Sequence, residues 1–273
     1  MRNNERRTGA AAAPAPSAPA PSLSFAVPTE FVELPSEGKF YPADHPLHNQ
    51  KTVEIKYMTA KEEDILSSEA LLKNNLVLDR LIESLTVQDI PANSLLLGDR
   101  SAILMAARVS GYGNEYKVLH TCKKCFNQTE TSFDLKKRAV TKKCFDKKFL
   151  KKNKITYDDN TLTFDISLPT SGVEVGLRLI TGEKEKDFEN LSKSGAVITG
   201  FLKGIVAKVN QNTDPDYIEE FIDVIPAKDS KFIRDVYPDL VPKVRMVADF
   251  KCGTCYTVDT QEVPLTAEFF WPD

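Results

Sequence analysis

HTCKKCFNQTETSFDL at residues 120–135 and VADFKCGTCYTVDTQEVPL at residues 247–265 are the two stretches that decide the fold of this chain. Each holds a Cys-x-x-Cys turn among alternating, β-branched residues, a pattern that predicts two short strands joined by the turn. Two such turns supply four thiolates, the ligand set of a closed, tetrahedral structural zinc site. We therefore predict one structural Zn²⁺ ion bound by four cysteines: Cys122, Cys125, Cys252 and Cys255.

The cysteine content favours a metal site over disulfides. No apolar run approaches the roughly 18 residues of a membrane span, and the N-terminus lacks the apolar core of a signal peptide. We therefore expect an intracellular protein in a reducing compartment, where paired Cys-x-x-Cys motifs indicate metal binding. The fifth cysteine, Cys144, is then a free thiol, and we interpret His120 as a strand residue rather than a ligand.

No catalytic constellation accompanies the cysteines. The chain has three histidines, and it contains no P-loop, no Gly-x-Ser-x-Gly and no His-Glu-x-x-His motif. A closed four-cysteine site has no open position for a reacting water, so the predicted zinc would hold the chain together and would not catalyse a reaction. We therefore predict that the protein is not an enzyme.

The chain is predicted to be an α+β protein in which a large insertion of β-hairpins and helices splits the zinc ribbon. We place the boundaries of its parts from the two cysteine-bearing stretches and from the composition of the sequence between them. The predicted parts are a disordered Ala/Pro-rich tail (1–24), an extended arm with an N-terminal helical unit (25–120), the zinc ribbon (121–135 and 245–265), the inserted subdomain (136–244) and a docked aromatic tail (266–273).

Several helix ends can be predicted from the sequence. Thr59 and Glu62 form a capping box. The apolar pattern then predicts a long helix capped by Asn93 or Ser94 and ended by Gly111, with an ion pair or a partner contact around Asp99, Arg100 and Arg108. The later predicted helices include one from Ala196 through Val209, one from Pro215 capped by Thr213, and one from Ser230 to Val236 capped by Asp229 and followed by Pro238.

Aromatic side chains concentrate at both ends of the predicted ordered region. The proline-rich stretch FVELPSEGKFYPADHPL at residues 31–47 predicts an extended arm. Three aromatics end the chain, and burying them would release several kcal/mol at about 25 cal/mol per Å². The tail therefore docks, on this chain's own core or in a partner's groove. The candidate partner-binding residues are Phe31, Phe40, Tyr41, Phe269, Phe270 and Trp271.

A lysine-rich stretch at residues 136–154 contrasts with a formal net charge of −3 for the whole chain. Clustered cations can bind phosphates by releasing counterions. However, the acidic balance elsewhere and the scarcity of interleaved aromatics favour a solvated connection. Contact with an acidic protein or a nucleic acid remains the alternative for this stretch.

Several further segments, taken in order, resemble the baseplate hub proteins of T4-like phages, a zinc-ribbon-containing group of contractile-tailed phages. The resemblance covers about residues 28–273. It rests on LPSEGKFY (34–41), MTAKEEDIL (58–66), LLLGDR (95–100), GYGNEY (111–116), the two cysteine pairs and the terminal FFWP (269–272).

The resemblance implies a virus-encoded, non-enzymatic protein of tail or baseplate morphogenesis. Its implied partners are other phage baseplate and tail proteins, and its implied location is the host cytoplasm during assembly or the virion baseplate. The resemblance specifies neither whether the protein stays in the virion nor what its oligomeric state is. The alternative hypothesis is a nucleic-acid-binding zinc-ribbon protein, based on the cysteine pairs and the lysine-rich stretch.

Overall fold

A computed structural model of the chain describes residues 27–142, 147–185, 195, 197–263 and 265–271. The tail predicted at residues 1–24, the thiol of Cys144 and the final Pro272 and Asp273 lie outside these residues. The described part is a mixed α+β structure with several small antiparallel sheets, as predicted. None of the described helices combines the length and the apolar character needed to cross a lipid bilayer.

The N-terminal unit packs a two-stranded sheet against helices. Thr59 accepts a hydrogen bond from the first turn of α1 and Glu62 reaches back to the Thr59 backbone, which confirms the predicted capping box. Apolar residues of α3 at helical spacing, among them Leu81, Ile82 and Leu85, are fully buried. The elements are β1 (Thr29–Glu33), β2 (Thr52–Lys56), α1 (Ala60–Ser67), α2 (Glu69–Lys73), α3 (Val77–Leu85) and α4 (Leu97–Tyr112).

Both predicted ends of α4 are wrong. Asn93 and Ser94 lie in a separate 3₁₀ turn at Ala92–Ser94, and Leu96 occupies the N-cap position without a side-chain hydrogen bond. The helix passes through Gly111 and ends at Gly113, which adopts a φ of 83° that favours glycine. Gly111 packs closely on Met58: a Cβ there would lie 3.0 Å from the Met58 sulfur, so this flexible side chain would have to shift.

The middle of the chain forms a four-stranded antiparallel sheet of order β6-β7-β8-β9 with helices beside it. The β-hairpins predicted within the insertion are confirmed by the pairing of β6 with β7 and of β7 with β8. The elements are α5 (Leu135–Arg138), β5 (Ala139–Lys142), α6 (Lys147–Lys152), β6 (Thr156–Asp158), β7 (Thr163–Ser167), β8 (Glu174–Leu177), α7 (Val197–Ile205), β9 (Val206–Val209), α8 (Pro215–Val224) and α9 (Ala227–Leu240).

Tertiary contacts change three of the predicted helices. The helix expected to reach Val209 ends at Ile205, because the β-branched residues that follow pair with β8 as strand β9. Asp214, not Thr213, caps α8. Helix α9 starts at Ala227 and continues past Pro238, whereas Asp229 accepts hydrogen bonds from the backbone N–H groups of Thr170 and Ser171 at 2.8 and 2.9 Å.

The two cysteine-bearing stretches fold into two hairpins. The first pairs β3 (Glu115–Thr121) with β4 (Gln128–Asp134), and the second pairs β10 (Lys243–Lys251) with β11 (Val258–Glu262). Strand β10 also pairs with β5, so a strand from the predicted insertion joins the sheet of the ribbon. The chain ends in a 3₁₀ turn at Ala267–Phe270 whose two phenylalanines enter the same continuous core as α4.

Candidate metal centre

Each Cys-x-x-Cys turn is held by the same pair of backbone hydrogen bonds. In the first turn the N–H of Cys122 donates to the Asn127 carbonyl and the N–H of Phe126 donates to the Cys122 carbonyl, both at 2.9 Å. The second turn repeats this pattern between Cys252, Thr257 and Tyr256, at 2.9 and 3.1 Å. The two turns therefore present their sulfurs in matching geometry.

The two turns bring four sulfurs to one point. All four Sγ atoms lie within 4.8 Å of one another, and the closest pairs are Cys122 with Cys255 at 3.6 Å and Cys125 with Cys252 at 3.5 Å. These distances are too long for disulfides, whose sulfurs are about 2.05 Å apart. Four sulfurs at about 2.3 Å from a tetrahedral zinc ion would be about 3.8 Å apart. The arrangement thus fits one metal ion.

Hydrogen bonds and crowding set the acidity of these thiols. Contact with the Thr257 hydroxyl and backbone lowers the pKa of Cys255 to about 6, and backbone N–H groups lower the pKa of Cys252. The Asn127 backbone favours the thiolate of Cys125, but burial and hydrogen bonds with the other cysteines outweigh it and raise its pKa to about 12. A bound cation would be needed for all four sulfurs to be thiolates this close to one another.

Other contacts also join the two hairpins beside the sulfurs. The Asn127 side chain donates to the Thr254 hydroxyl, and the N–H of Gly253 donates to the Thr129 hydroxyl at 3.2 Å. The ring of His120 stacks on Phe250 with centroids 4.7 Å apart, so His120 is a buried strand residue, as predicted. The four cysteines therefore lie at the tip of the interface between the two hairpins, and side-chain contacts also hold this interface together.

One family matches this chain in sequence. The model of the T4 bacteriophage base plate protein family matches residues 28–271, nearly the whole chain and all four cysteines. The chain belongs to this base plate protein family. The searches of curated proteins and of solved structures found no significant match. The family description specifies neither a hub location nor a zinc ribbon, so these two parts of the sequence interpretation remain predictions.

The structure separates the aromatic candidates of this base plate protein into two groups. Phe31 and Trp271 are 69 % and 42 % exposed. The other four, Phe40, Tyr41, Phe269 and Phe270, are buried in this chain's own core. Direct partner contact does not fit the burial of those four rings, because each ring packs on neighbouring residues of the same chain. Partner binding remains a prediction for Phe31 and Trp271.

The charged residues of α4 bind other elements and not one another, so the predicted ion pair is present at Arg100 but its partner lies on α3. Buried Asp99 accepts from the N–H and hydroxyl of Ser36 and from the Tyr41 hydroxyl, at 3.0, 2.5 and 2.7 Å. Arg100 pairs with Asp79 of α3 at 2.6 Å. The guanidinium of Arg108 donates to the Phe269 carbonyl at 3.1 Å, so α4 anchors both the arm and the C-terminal turn.

Sequence reasoning missed the residue that follows each Cys-x-x-Cys. Phe126 and Tyr256 both adopt left-handed backbone, with φ of 58° and 57°, and are 78 % and 70 % exposed. A bulky residue is uncommon in that conformation, and little of either ring packs inside the chain. The signal was present in the sequence as a repeated Cys-x-x-Cys-aromatic motif, and it adds two exposed rings at the tip of the ribbon.

The contact between His45 and Ser94 resembles the histidine–serine pair of a catalytic site, but its hydrogen bond runs in the wrong direction for catalysis. Nδ1 of His45 accepts from the Leu47 N–H at 3.1 Å, so Nε2 carries the ring proton and donates to the Ser94 hydroxyl at 3.0 Å. Ser94 in turn donates to the Pro91 carbonyl at 2.7 Å. An imidazole that donates to a hydroxyl cannot remove its proton. This contact therefore anchors the loop.

Proposed function

We propose that this base plate family member is a non-enzymatic structural or assembly protein of the baseplate hub of a contractile-tailed phage. It acts through contacts with other baseplate and tail proteins, in the host cytoplasm during assembly or in the virion baseplate. The family match over residues 28–271 is the observation that carries this proposal. The exposed rings of Phe31, Trp271, Phe126 and Tyr256 are the candidate contact residues.

The second part of the proposal is one structural zinc ion held by Cys122, Cys125, Cys252 and Cys255. Their sulfurs lie within 4.8 Å of one another, which supports this assignment. When bound, the ion would neutralise the four thiolates and crosslink the β3–β4 hairpin to the β10–β11 hairpin. Such a crosslink stabilises the fold because it joins residues that are distant in sequence.

Metal analysis of purified variants tests the zinc site. The wild-type chain should hold about one zinc per chain, and Cys252→Ser should lose it together with part of its folding stability. Cys144→Ser is the matched control, since it removes the predicted free thiol, and it should keep its zinc. Full zinc occupancy in Cys252→Ser would rule out the four-cysteine site.

Co-expression with the hub and tail proteins of the same phage tests the baseplate role. The chain should co-purify with at least one of them. The double variant Phe126→Ser and Tyr256→Ser should bind less while keeping its zinc, because both rings are largely exposed. A wild-type chain that stays alone with every hub and tail protein would contradict the proposed role, whatever the result of the metal analysis.

A further inference from the structure

The charge of this chain is divided unevenly along the sequence. Residues 135–155 hold ten of the 36 lysines and arginines and one of the 39 acidic residues, so this segment carries +9 and the rest of the chain carries −12. The described part of the segment is folded into α5, β5 and α6. Part of this positive charge is therefore carried by the described helices and strand of the segment.

Helix α6 carries part of this positive charge on its solvent-exposed face. Phe149 and Leu150 pack against the core. Lys148, Lys151 and Lys152, spaced three and four residues apart, are exposed together. We call these three side chains the basic face. Among the described residues, no carboxylate forms an ion pair with Lys151 or Lys152.

Helix α8 presents the opposite charge along about two turns. Residues 212–224 contain five acidic residues and no lysine or arginine. Asp216, Glu220 and Asp223 are exposed at positions i, i+4 and i+7 of the helix, and we call them the acidic face. Lys203 pairs with Glu219 and lies 3.9 Å from Asp223, which leaves α8 with a net negative charge. Val224, 77 % exposed, adds apolar surface at the end of this face.

We propose that the basic face of one copy of this chain docks on the acidic face of a second copy. Both faces are exposed on helices and carry charges of opposite sign, so the two faces attract each other. The two faces differ, so the contact is head-to-tail: one copy keeps its acidic face free and the other keeps its basic face free. This inference goes beyond the proposed function and does not depend on the zinc site.

Charge complementarity also predicts the strength of this association. Exposed ion pairs contribute little individually and are screened by salt, so the association is weak and depends on ionic strength. A protein partner fits better than a nucleic acid. Phe149, the described aromatic of the basic segment, packs inward and is not available to stack on bases. The −12 charge of the remaining chain also repels phosphates.

Sedimentation over a concentration series tests the proposal. The wild-type chain should self-associate at about 0.1 M salt and dissociate at about 1 M, where the Debye length falls to about 3 Å. Variant A carries Lys148→Glu, Lys151→Glu and Lys152→Glu, and variant B carries Asp216→Lys, Glu220→Lys and Asp223→Lys. Each variant alone should associate at least about tenfold more weakly than the wild type.

Mixing the two variants gives the decisive result. Variant A keeps the acidic face and variant B keeps the basic face, so an equimolar mixture should regain association. The control carries Lys51→Glu, Lys61→Glu and Lys73→Glu, which makes the same charge change at exposed lysines outside both faces, and it should associate like the wild type. Circular dichroism confirms that each variant folds.

Three results would overturn the proposal. These are a monomeric wild type at low salt, an equal loss of association in the control, and a mixture of A and B that stays monomeric. Binding of a fluorescent DNA duplex by the wild type and not by variant A, with no self-association, would assign the basic face to nucleic acid.

Discussion

Asp99 shows how one buried side chain organises a whole segment. Its carboxylate is fully buried and receives three hydrogen bonds from Ser36 and Tyr41, two residues of the arm that precedes α1. The Tyr41 hydroxyl also accepts from the Leu96 N–H at 3.1 Å, just before α4. The arm is therefore fastened to the start of α4 by polar contacts, while Phe40 fills the core beside it.

Replacing Asp99 should destabilise the fold strongly. Asp99→Ala leaves the donors of Ser36 and Tyr41 buried without an acceptor, which costs about 3 kcal/mol of unfolding free energy. Urea unfolding measures the loss. Asp64→Ala, at an exposed position of α1, is the control and should change stability by less than about 0.5 kcal/mol. A loss no larger than that of the control would show that the Asp99 contacts do not stabilise the arm.

Asp99 should also give the stability a defined pH dependence. Burial raises its pKa in the folded chain, against the hydrogen bonds from Ser36 and Tyr41 that lower it. A carboxyl group with a raised folded pKa contributes most below its unfolded value of about 3.9, and this contribution is lost as pH rises through the folded pKa. The wild type should therefore lose stability relative to Asp99→Asn as the pH rises above about 4. A constant difference between the two proteins would contradict this assignment.

Close packing between secondary-structure elements explains a glycine within a helix that helix propensity does not explain. Helix α4 approaches strand β10 so closely that a Cβ on Gly98 would lie 2.0 Å from the Pro242 carbonyl oxygen. Gly204 in α7, by contrast, has open space around the same position. Both glycines lie in helices, yet only Gly98 is required by its neighbours.

Alanine at these two glycines should have opposite effects. Gly98→Ala forces α4 away from β10 and should lower the unfolding free energy by about 2 kcal/mol. Gly204→Ala should raise it by up to about 1 kcal/mol, since alanine restricts the unfolded chain and favours helix. Denaturant unfolding of both variants measures the difference. Equal effects at the two positions would show that the contact between α4 and β10 tolerates a side chain.

At the scale of the whole molecule, the four-cysteine cluster joins the first half of the chain to the second. The β10–β11 hairpin reaches it after the four-stranded sheet and helices α7 to α9. The same hairpin pairs with β5 and packs on α4. The cysteine cluster therefore lies in a structure whose halves are also joined by backbone pairing and by apolar contacts.

Removing the metal should weaken the fold without abolishing it. A chelator should lower the unfolding free energy of the zinc-loaded chain by about 4 kcal/mol, the stabilisation expected when free zinc exceeds its Kd about 1,000-fold. Thermal unfolding with and without chelator measures this effect. Cys252→Ser should be insensitive to the chelator, whereas Cys144→Ser should respond like the wild type. A wild type indifferent to chelation would show that no stabilising metal is bound.

The sequence by itself determined the features that are encoded within a few neighbouring residues. The Thr59 capping box, the hairpins near residues 155–179 and the strands around each Cys-x-x-Cys depend on local hydrogen bonds and on side-chain alternation. The clustering of the four cysteines could also be predicted, because the chemistry of a structural metal site requires all four together.

Only the tertiary structure decided the features that depend on contacts between distant residues. Strand β9 forms because β8 lies beside it, and β5 joins the ribbon because β10 has an open edge there. Phe269 and Phe270 are buried because α4 offers them a core and Arg108 a hydrogen bond. Asp99 bonds with the arm rather than within its own helix. Burial of such residues depends on which surfaces meet, and local sequence periodicity does not specify that.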